Sequence, residues 1–256
     1  MKAKIIKNQR ILNIMLVIII VSISLLYNYT GYNKILSVFY NNNKEIPIYC
    51  VDTAEKKIAI SFDAAWGADY TEDLLAILKK YNVKTTFFLV GFWVDKYPEM
   101  VARIDEEGHE IGNHSSKHPQ MSKLSKEQMR EELVNTSEKI EAITKKKVTL
   151  FRPPFGDYNN RLIETSRELG LQVIQWDVDS LDYKDYGANA IVTRVLSRVK
   201  NGSIVLFHNN ATYTKDALPI IIENLQKEGY EIVPISELIY KENYYIDHTG
   251  KQKLLR

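Results

Sequence analysis

"KIAISFDAAWGAD", residues 57–69, is the stretch that decides the fold. It opens as an apolar, alternating run and delivers one carboxylate, Asp63, where a strand should stop; two alanines, Trp66 and Gly67 follow. Alternation with a period of two is the mark of a strand with two different faces. The chain therefore presents an acid at a strand's C-terminal end.

Working outward from this strand, the same grammar repeats. Strands are expected over residues 57–63, 84–90, 109–113, 148–152, 172–177, 203–208 and 231–235, and helices over 71–81, 98–107, 125–144, 160–169, 188–200 and 217–228. Ser125 and Gln128 form a capping-box pattern at the third helix. Gly108, Gly170 and Gly229 stand just past helix ends, where a left-handed residue is wanted. Alternating strands and helices imply a parallel sheet with helical cover, either a barrel or an open doubly wound sheet. In both, function gathers at the C-terminal strand ends.

The N-terminus reads differently. Residues 1–10 carry Lys2, Lys4, Lys7 and Arg10, and "ILNIMLVIIIVSISLLY" (11–27) has no charge over 17 residues. At about 1.5 Å per residue this just spans a hydrocarbon core, with the basic flank inside and the remainder outside. The bulky sequel, "SLLYNYTGY", offers no small-x-small cleavage site, so residues 1–27 are expected as an anchor rather than a removed signal segment. A linker over 28–45, a domain over 46–240 and a polar tail over 241–256 complete the expected organisation. The chain has 34 basic and 32 acidic residues, and four of the basic ones fall before residue 11. What remains is not basic, which argues against nucleic acid. The single cysteine, Cys50, excludes an internal disulfide.

The polar residues cluster at strand ends. "NHSSKH" (113–118) places His114 and His118 four apart, a spacing suited to two ligands of one metal. "FRPPFGDYN" (151–159) is a rigid turn that can aim Arg152 at a carboxylate. "QWDVDSLDY" (175–183) packs three acids and two aromatics after a strand, and "GSIVLFHN" (202–209) is an apolar strand ending in His208. A barrel glycosidase would need two facing carboxylates; Asp63 and Asp179 are the only obvious pair, and the histidines would be unexplained.

Taken together these motifs resemble the polysaccharide deacetylases of carbohydrate esterase family four. The matching segments are Ser61-Phe62-Asp63, His114-Ser115-Ser116-Lys117-His118, Arg152-Pro153-Pro154-Phe155-Gly156, Asp179-Ser180-Leu181-Asp182-Tyr183 and Ile204-Val205-Leu206-Phe207-His208. The resemblance implies a distorted (β/α) barrel of about seven parallel strands. It implies hydrolysis of N-acetyl groups on a cell-wall or chitin-like glycan, outside the cytoplasmic membrane, with a divalent metal, zinc or cobalt. By resemblance His114 and His118 hold the metal, Asp63 is the general base oriented by Arg152, and His208 is the acid held by Asp179. Phe155 lends a backbone N–H to the oxyanion, and Trp66, Tyr158, Tyr183 and Leu206 contact substrate.

One position departs from the family. Its usual second aspartate, a metal ligand, is Ala64 in this chain. Three outcomes stay open: Asp69 loops back into the metal shell, the metal is held weakly or by other ligands, or deacetylation is lost and a glycan-binding or structural cell-wall protein remains. "SFDAAWGAD" is similar to the opening motif of spore-associated members.

Overall fold

The computed structural model describes residues 44–255 and six isolated helical positions: Met15, Ile19, Val21, Ser22, Ser24 and Leu25. The anchor and linker expected over 1–45 lie outside the described residues, apart from those six, Lys44 and Glu45. Among the described residues no helix is long and apolar enough to cross a membrane. The chain divides into two units, Met1–Lys44 and Glu45–Arg256.

In the second unit the strands run β1 (Cys50–Val51), β2 (Lys57–Ala64), β3 (Thr86–Leu89), β4 (Glu110–Asn113), β5 (Leu150–Phe151), β6 (Gln172–Val173), β7 (Val178–Asp179), β8 (Ile204–His208), β9 (Glu231–Ile232), β10 (Tyr244–Ile246) and β11 (Lys251–Leu254). The helices are α1 (Thr71–Lys80), α2 (Gly91–Lys96), α3 (Pro98–Glu106), α4 (Lys126–Thr144), α5 (Asn160–Glu168), α6 (Ala188–Leu196), α7 (Thr214–Lys227) and α8 (Ile235–Leu238). Seven strands form a parallel path in the order β6-β5-β4-β3-β2-β8-β7, and β9 joins the start of β2.

This order decides between the two expected architectures. β6 and β7 stand at opposite ends of the path, yet only residues 174–177 separate them. Five extended Cα steps reach roughly 18 Å at most, whereas six gaps of about 4.8 Å would set flat edges roughly 29 Å apart. The sheet must curl until its edges approach, and it forms a half-barrel of seven parallel strands. Residues 48–51 lie along the gap: Ile48 pairs with Ile174 on one side and Cys50 bridges Ser203 on the other. The single strand expected over 172–177 is therefore two strands, because the chain changes edges in the middle of it.

Two apolar layers follow from the period of two. Ile58, Ile60 and Phe62 face the helices, packing with Leu74, Leu75, Phe87 and Phe207. Ala59 faces the barrel interior with Phe88, Leu150, Ile174 and Ile204. Above Ala59 on the same face stand Ser61, whose hydroxyl donates to the Val205 carbonyl (2.8 Å), and then Asp63. The interior thus turns from apolar to polar toward the strands' C-terminal ends. Gly112 is required there, since a Cβ would stand 2.6 Å from the Phe88 ring.

The helix signals hold. Ser125 and Gln128 close the capping box, and Gly108, Gly170 and Gly229 all have positive φ. Three segments differ from expectation. Residues 91–96 form a helix, residues 231–235 become a two-residue strand followed by α8, and the segment expected as a polar tail contains the β10–β11 hairpin. β11 pairs with β1, and buried Gln252 bonds both the N–H and the C=O of Tyr240.

Candidate active site

Asp63 and His208 are register partners at the ends of adjacent strands β2 and β8. That pairing sets the floor of a pocket of about 610 Å³ whose lining includes Asp63, Trp66, His114, His118, Phe155, Asp179, Tyr183, Leu206 and His208. The volume lies in the range of small-ligand sites.

Arg152 is fully buried inside the barrel. Its Nη1 donates to Asp63 Oδ1 at 2.8 Å, its Nη2 donates to the Gln175 carbonyl at 3.2 Å, and the guanidinium lies 4.2 Å from the centroid of the Phe88 ring. Burial pushes the Asp63 carboxyl upward. The charges of Arg152, then His114 and His208, outweigh it, and the carboxyl titrates below the ordinary range. Asp63 is thus an ionised, oriented carboxylate.

His114 Nδ1 lies 2.7 Å from the Arg152 carbonyl. A carbonyl only accepts, so Nδ1 carries the proton and Nε2 keeps its lone pair. That lone pair faces Asp63 Oδ2 at 3.5 Å. The His118 ring stands edge-on to Trp66, His114 and Phe155, with centroids 4.9, 5.0 and 4.6 Å away. Its Nδ1 is buried with no hydrogen-bond partner. Burial lowers the pKa of both imidazoles, that of His118 to about 4, so both are neutral near pH 7.

The loop carrying the two histidines is pinned by its backbone. Glu132 Oε2, on α4, accepts from the Ser116 and Lys117 N–H groups at 2.8 Å each. Asn113 Oδ1 accepts from Ser115 N–H, and Ser115 Oγ accepts from His118 N–H. Ser115 and His118 both hold positive φ, as does Phe155 (φ +60) across the pocket. Such backbone outliers in residues with a side chain persist only where the surroundings over-determine them.

The acid partner of His208 is Asp182, not the expected Asp179. Asp182 Oδ1 lies 2.7 Å from His208 Nδ1 and accepts the Tyr183 N–H, while its Oδ2 accepts the His208 N–H and the Thr214 hydroxyl. Asp179 instead accepts the Leu181 N–H in the turn below and lines the pocket. Burial pushes the His208 imidazole down. The hydrogen bond and charge of Asp182, then Asp63 and Asp179, outweigh it, and its pKa is raised.

Two further expectations fail. Tyr158 is not in the lining; it packs against the outer core and bonds Tyr49. Asp69 is exposed and lies outside the lining. Trp176, Asn209 and Asn210, which sequence reading passed over, do line the pocket. Asn209 ties the site together through the Gly67 carbonyl and the Thr71 hydroxyl.

The metal expected by resemblance meets two neutral imidazoles and an adjacent carboxylate already paired to Arg152. Ala64, directly after Asp63, offers only a methyl group where the family's third donor is expected, and it is fully buried. Among the described residues no group of three or more His, Cys, Asp or Glu side chains could hold a metal ion. The donor set therefore does not fit the family's metal.

Comparison with known proteins identifies the family. A family model described as polysaccharide deacetylase matches residues 51–174. The chain is 36% identical over 203 residues to protein YlxY of Bacillus subtilis (79% of this chain, 63% of that one). It is 37% identical to a peptidoglycan-N-acetylglucosamine deacetylase of Bacillus cereus (74% of this chain, 91% of that one). Against the Listeria monocytogenes deacetylase PgdA the match spans 41% of the relative's length. Among solved structures, BA3943 of Bacillus anthracis, described as a CE4 family pseudoenzyme, superposes with a TM-score of 0.73 at 36% identity (75% of this chain, 68% of that one). A mutant of BA3943 is described as having restored enzymatic activity. Fold, motif order and these likenesses converge on one assignment: the chain belongs to the polysaccharide deacetylase family.

Proposed function

We propose that this protein binds an N-acetylhexosamine glycan of the cell wall in the pocket at the strand ends, and that its hydrolysis of the acetamide is strongly impaired. Ala64 is the observation that carries the reading. Deacetylation breaks the amide C–N bond, adds the hydroxyl of water to the acetyl carbon and gives a proton to the leaving amine. The proton-handling half of that chemistry is in place. Asp63 is an ionised base aimed by Arg152, and His208, held at Nδ1 by Asp182 with its pKa raised, is placed to serve as the acid for the amine. Polarisation of the carbonyl is what the incomplete donor set leaves unsupplied, a contribution of several kcal/mol in metal-assisted hydrolysis. The walls suit a sugar: Trp66, Phe155 and Tyr183 present exposed rings around a polar floor.

The basic decapeptide and apolar segment at the N-terminus support placing this domain outside the cytoplasmic membrane, against the wall. Protease accessibility in intact spheroplasts tests that placement; protection of the domain would refute it.

The activity test uses the full chain, wild type and Ala64→Asp, with N-acetylglucosamine oligomers and added zinc or cobalt. Both proteins should bind the oligomers, and acetate should appear at least about a hundredfold faster with the variant, as expected when about 3 kcal/mol of transition-state stabilisation returns. Equal acetate release by the wild type would refute the proposal.

A further inference from the structure

Four carboxylates stand in or directly behind the pocket, and two of them have a cation of their own. Arg152 pairs with Asp63, and the His208 imidazole pairs with Asp182. Asp179 and Asp185 have no such partner. Among the described residues neither closes an ion pair, and the lining contains no lysine or arginine. Two cations stand outside the lining: Arg194 Nε donates to the backbone carbonyl of Asp179, and Lys184 Nζ lies 5.3 Å from the centroid of the Tyr183 ring. The wall also includes Asn210, whose Oδ1 has no hydrogen-bond partner. The pocket is therefore an aromatic-walled cleft with two carboxylates outside any ion pair and a spare neutral acceptor.

An acetamide carries no charge and has little use for two carboxylates. A free amine is an ammonium with three donors and one positive charge, which is what such a wall can satisfy. An anionic sugar meets repulsion in the same place. We propose that the pocket selects amine-bearing sugars, binding glycan with de-N-acetylated hexosamine units in preference to fully N-acetylated glycan and against carboxylate-bearing glycan. The inference rests on the reading of this pocket as a hexosamine-glycan site and names which glycan it prefers. It also sets a place in a reaction sequence: a deacetylation performed elsewhere supplies the ligand. A relative that has lost hydrolysis would then report on the product of its active kin.

Binding by the full chain is measured by calorimetry at low salt and about pH 6, with three probes: the glucosamine tetramer, the N-acetylglucosamine tetramer and tetragalacturonate. The amine-bearing tetramer should bind about tenfold more tightly than the acetylated one, the scale of two partly exposed charge contacts, and tetragalacturonate should not compete. Asp179→Asn with Asp185→Asn should remove that advantage, bringing the ratio of the two tetramers' Kd values to about one. Asp185→Asn alone, at an exposed position, should lose part of it and guards against misfolding of the double variant. Glu131→Gln, on the exposed face of α4, should change nothing. Equal or tighter binding of the acetylated tetramer would overturn the preference and leave the glycan site standing. An equal loss in Glu131→Gln would overturn it as non-specific charge attraction. Failure of both tetramers to bind would remove the glycan reading and this inference together.

Discussion

Asp182→Asn tests the geometry of the acid side of the site. In the native structure Asp182 is fully buried and accepts four donors: two from His208 (Nδ1–H and its backbone N–H), one from the Tyr183 N–H and one from the Thr214 hydroxyl. An asparagine can replace only one of the two oxygens; its NH₂ must face donors that had an acceptor. The least costly arrangement turns NH₂ toward His208 Nδ1, which then keeps a lone pair and moves the imidazole proton to Nε2. The ring is inverted in tautomer and loses its charge partner. Burial, the largest single influence on His208, is then opposed mainly by the more distant Asp63 and Asp179, so the raised pKa should fall. Loss of a charge-assisted bond plus a misplaced donor costs about 2–3 kcal/mol of stability, at the lower end here because the imidazole is one-third exposed. The pH dependence has a definite sign. Because the folded pKa of His208 lies above its unfolded value of about 6.5, the pair's stabilisation is complete below that value and fades as pH rises through the folded pKa. The gap between wild type and variant should therefore be largest near pH 5.5 and smaller at pH 9. Urea unfolding at both pH values, with NMR titration of the His208 imidazole, reads both effects. Asp179→Asn should shift the imidazole less. An unchanged titration in Asp182→Asn, or an equal shift in Asp179→Asn, would refute the assignment.

Two other perturbations probe the supports of the site. Arg152→Met removes one partner of a buried pair and leaves Asp63 uncompensated inside the barrel, so stability at neutral pH should fall by about 3–5 kcal/mol in urea unfolding; a loss under 1 kcal/mol would contradict the burial. Glu132→Ala strips the acceptor from two loop amides, so stability should fall by about 1–3 kcal/mol and hydrogen exchange at Ser116 and Lys117 should accelerate; unchanged exchange there would contradict the pinning.

Most of the barrel could be read from period and punctuation. The alternation of 57–63, the capping box at Ser125 and the glycines past helix ends each report a local conformation, and local signals survive into the structure. Non-local facts did not show. The split of 172–177 depends on which edge the next residues must reach, and no pattern within that segment encodes it. The β10–β11 hairpin was missed because its strands are only three and four residues long and its one fully buried residue, Gln252, is a polar side chain held by hydrogen bonds to Tyr240. Within the site, Asp63, Arg152, His114, His118 and His208 converge as expected. Asp179 and Asp182 are three residues apart in an acid-rich loop, and spacing alone does not say which one turns inward. The answer lies in Thr214, from a distant helix, which fixes Asp182 by its hydroxyl. Asp69, which follows the positive-φ turn at Gly67, stays exposed and outside the pocket lining, which spacing alone does not reveal.

Ala64 gains its meaning from where β2 places it. The side chain is fully buried in the apolar core at the end of β2, directly after Asp63. A carboxylate at position 64 without a compensating cation would be a buried charge and would destabilise the barrel. The methyl group avoids that cost and packs in the core. Nothing else that orders the site depends on this position: Arg152 is aimed by β5 and Gln175, His114 by the Arg152 carbonyl, His118 by Ser115 and Glu132, and His208 by Asp182 and Thr214. A single change can therefore stop the hydrolytic step while the cleft keeps its shape, its charges and its aromatic walls. On the proposed reading such a site is retained for binding, and Asp179 and Asp185 bias it toward amine-bearing glycan.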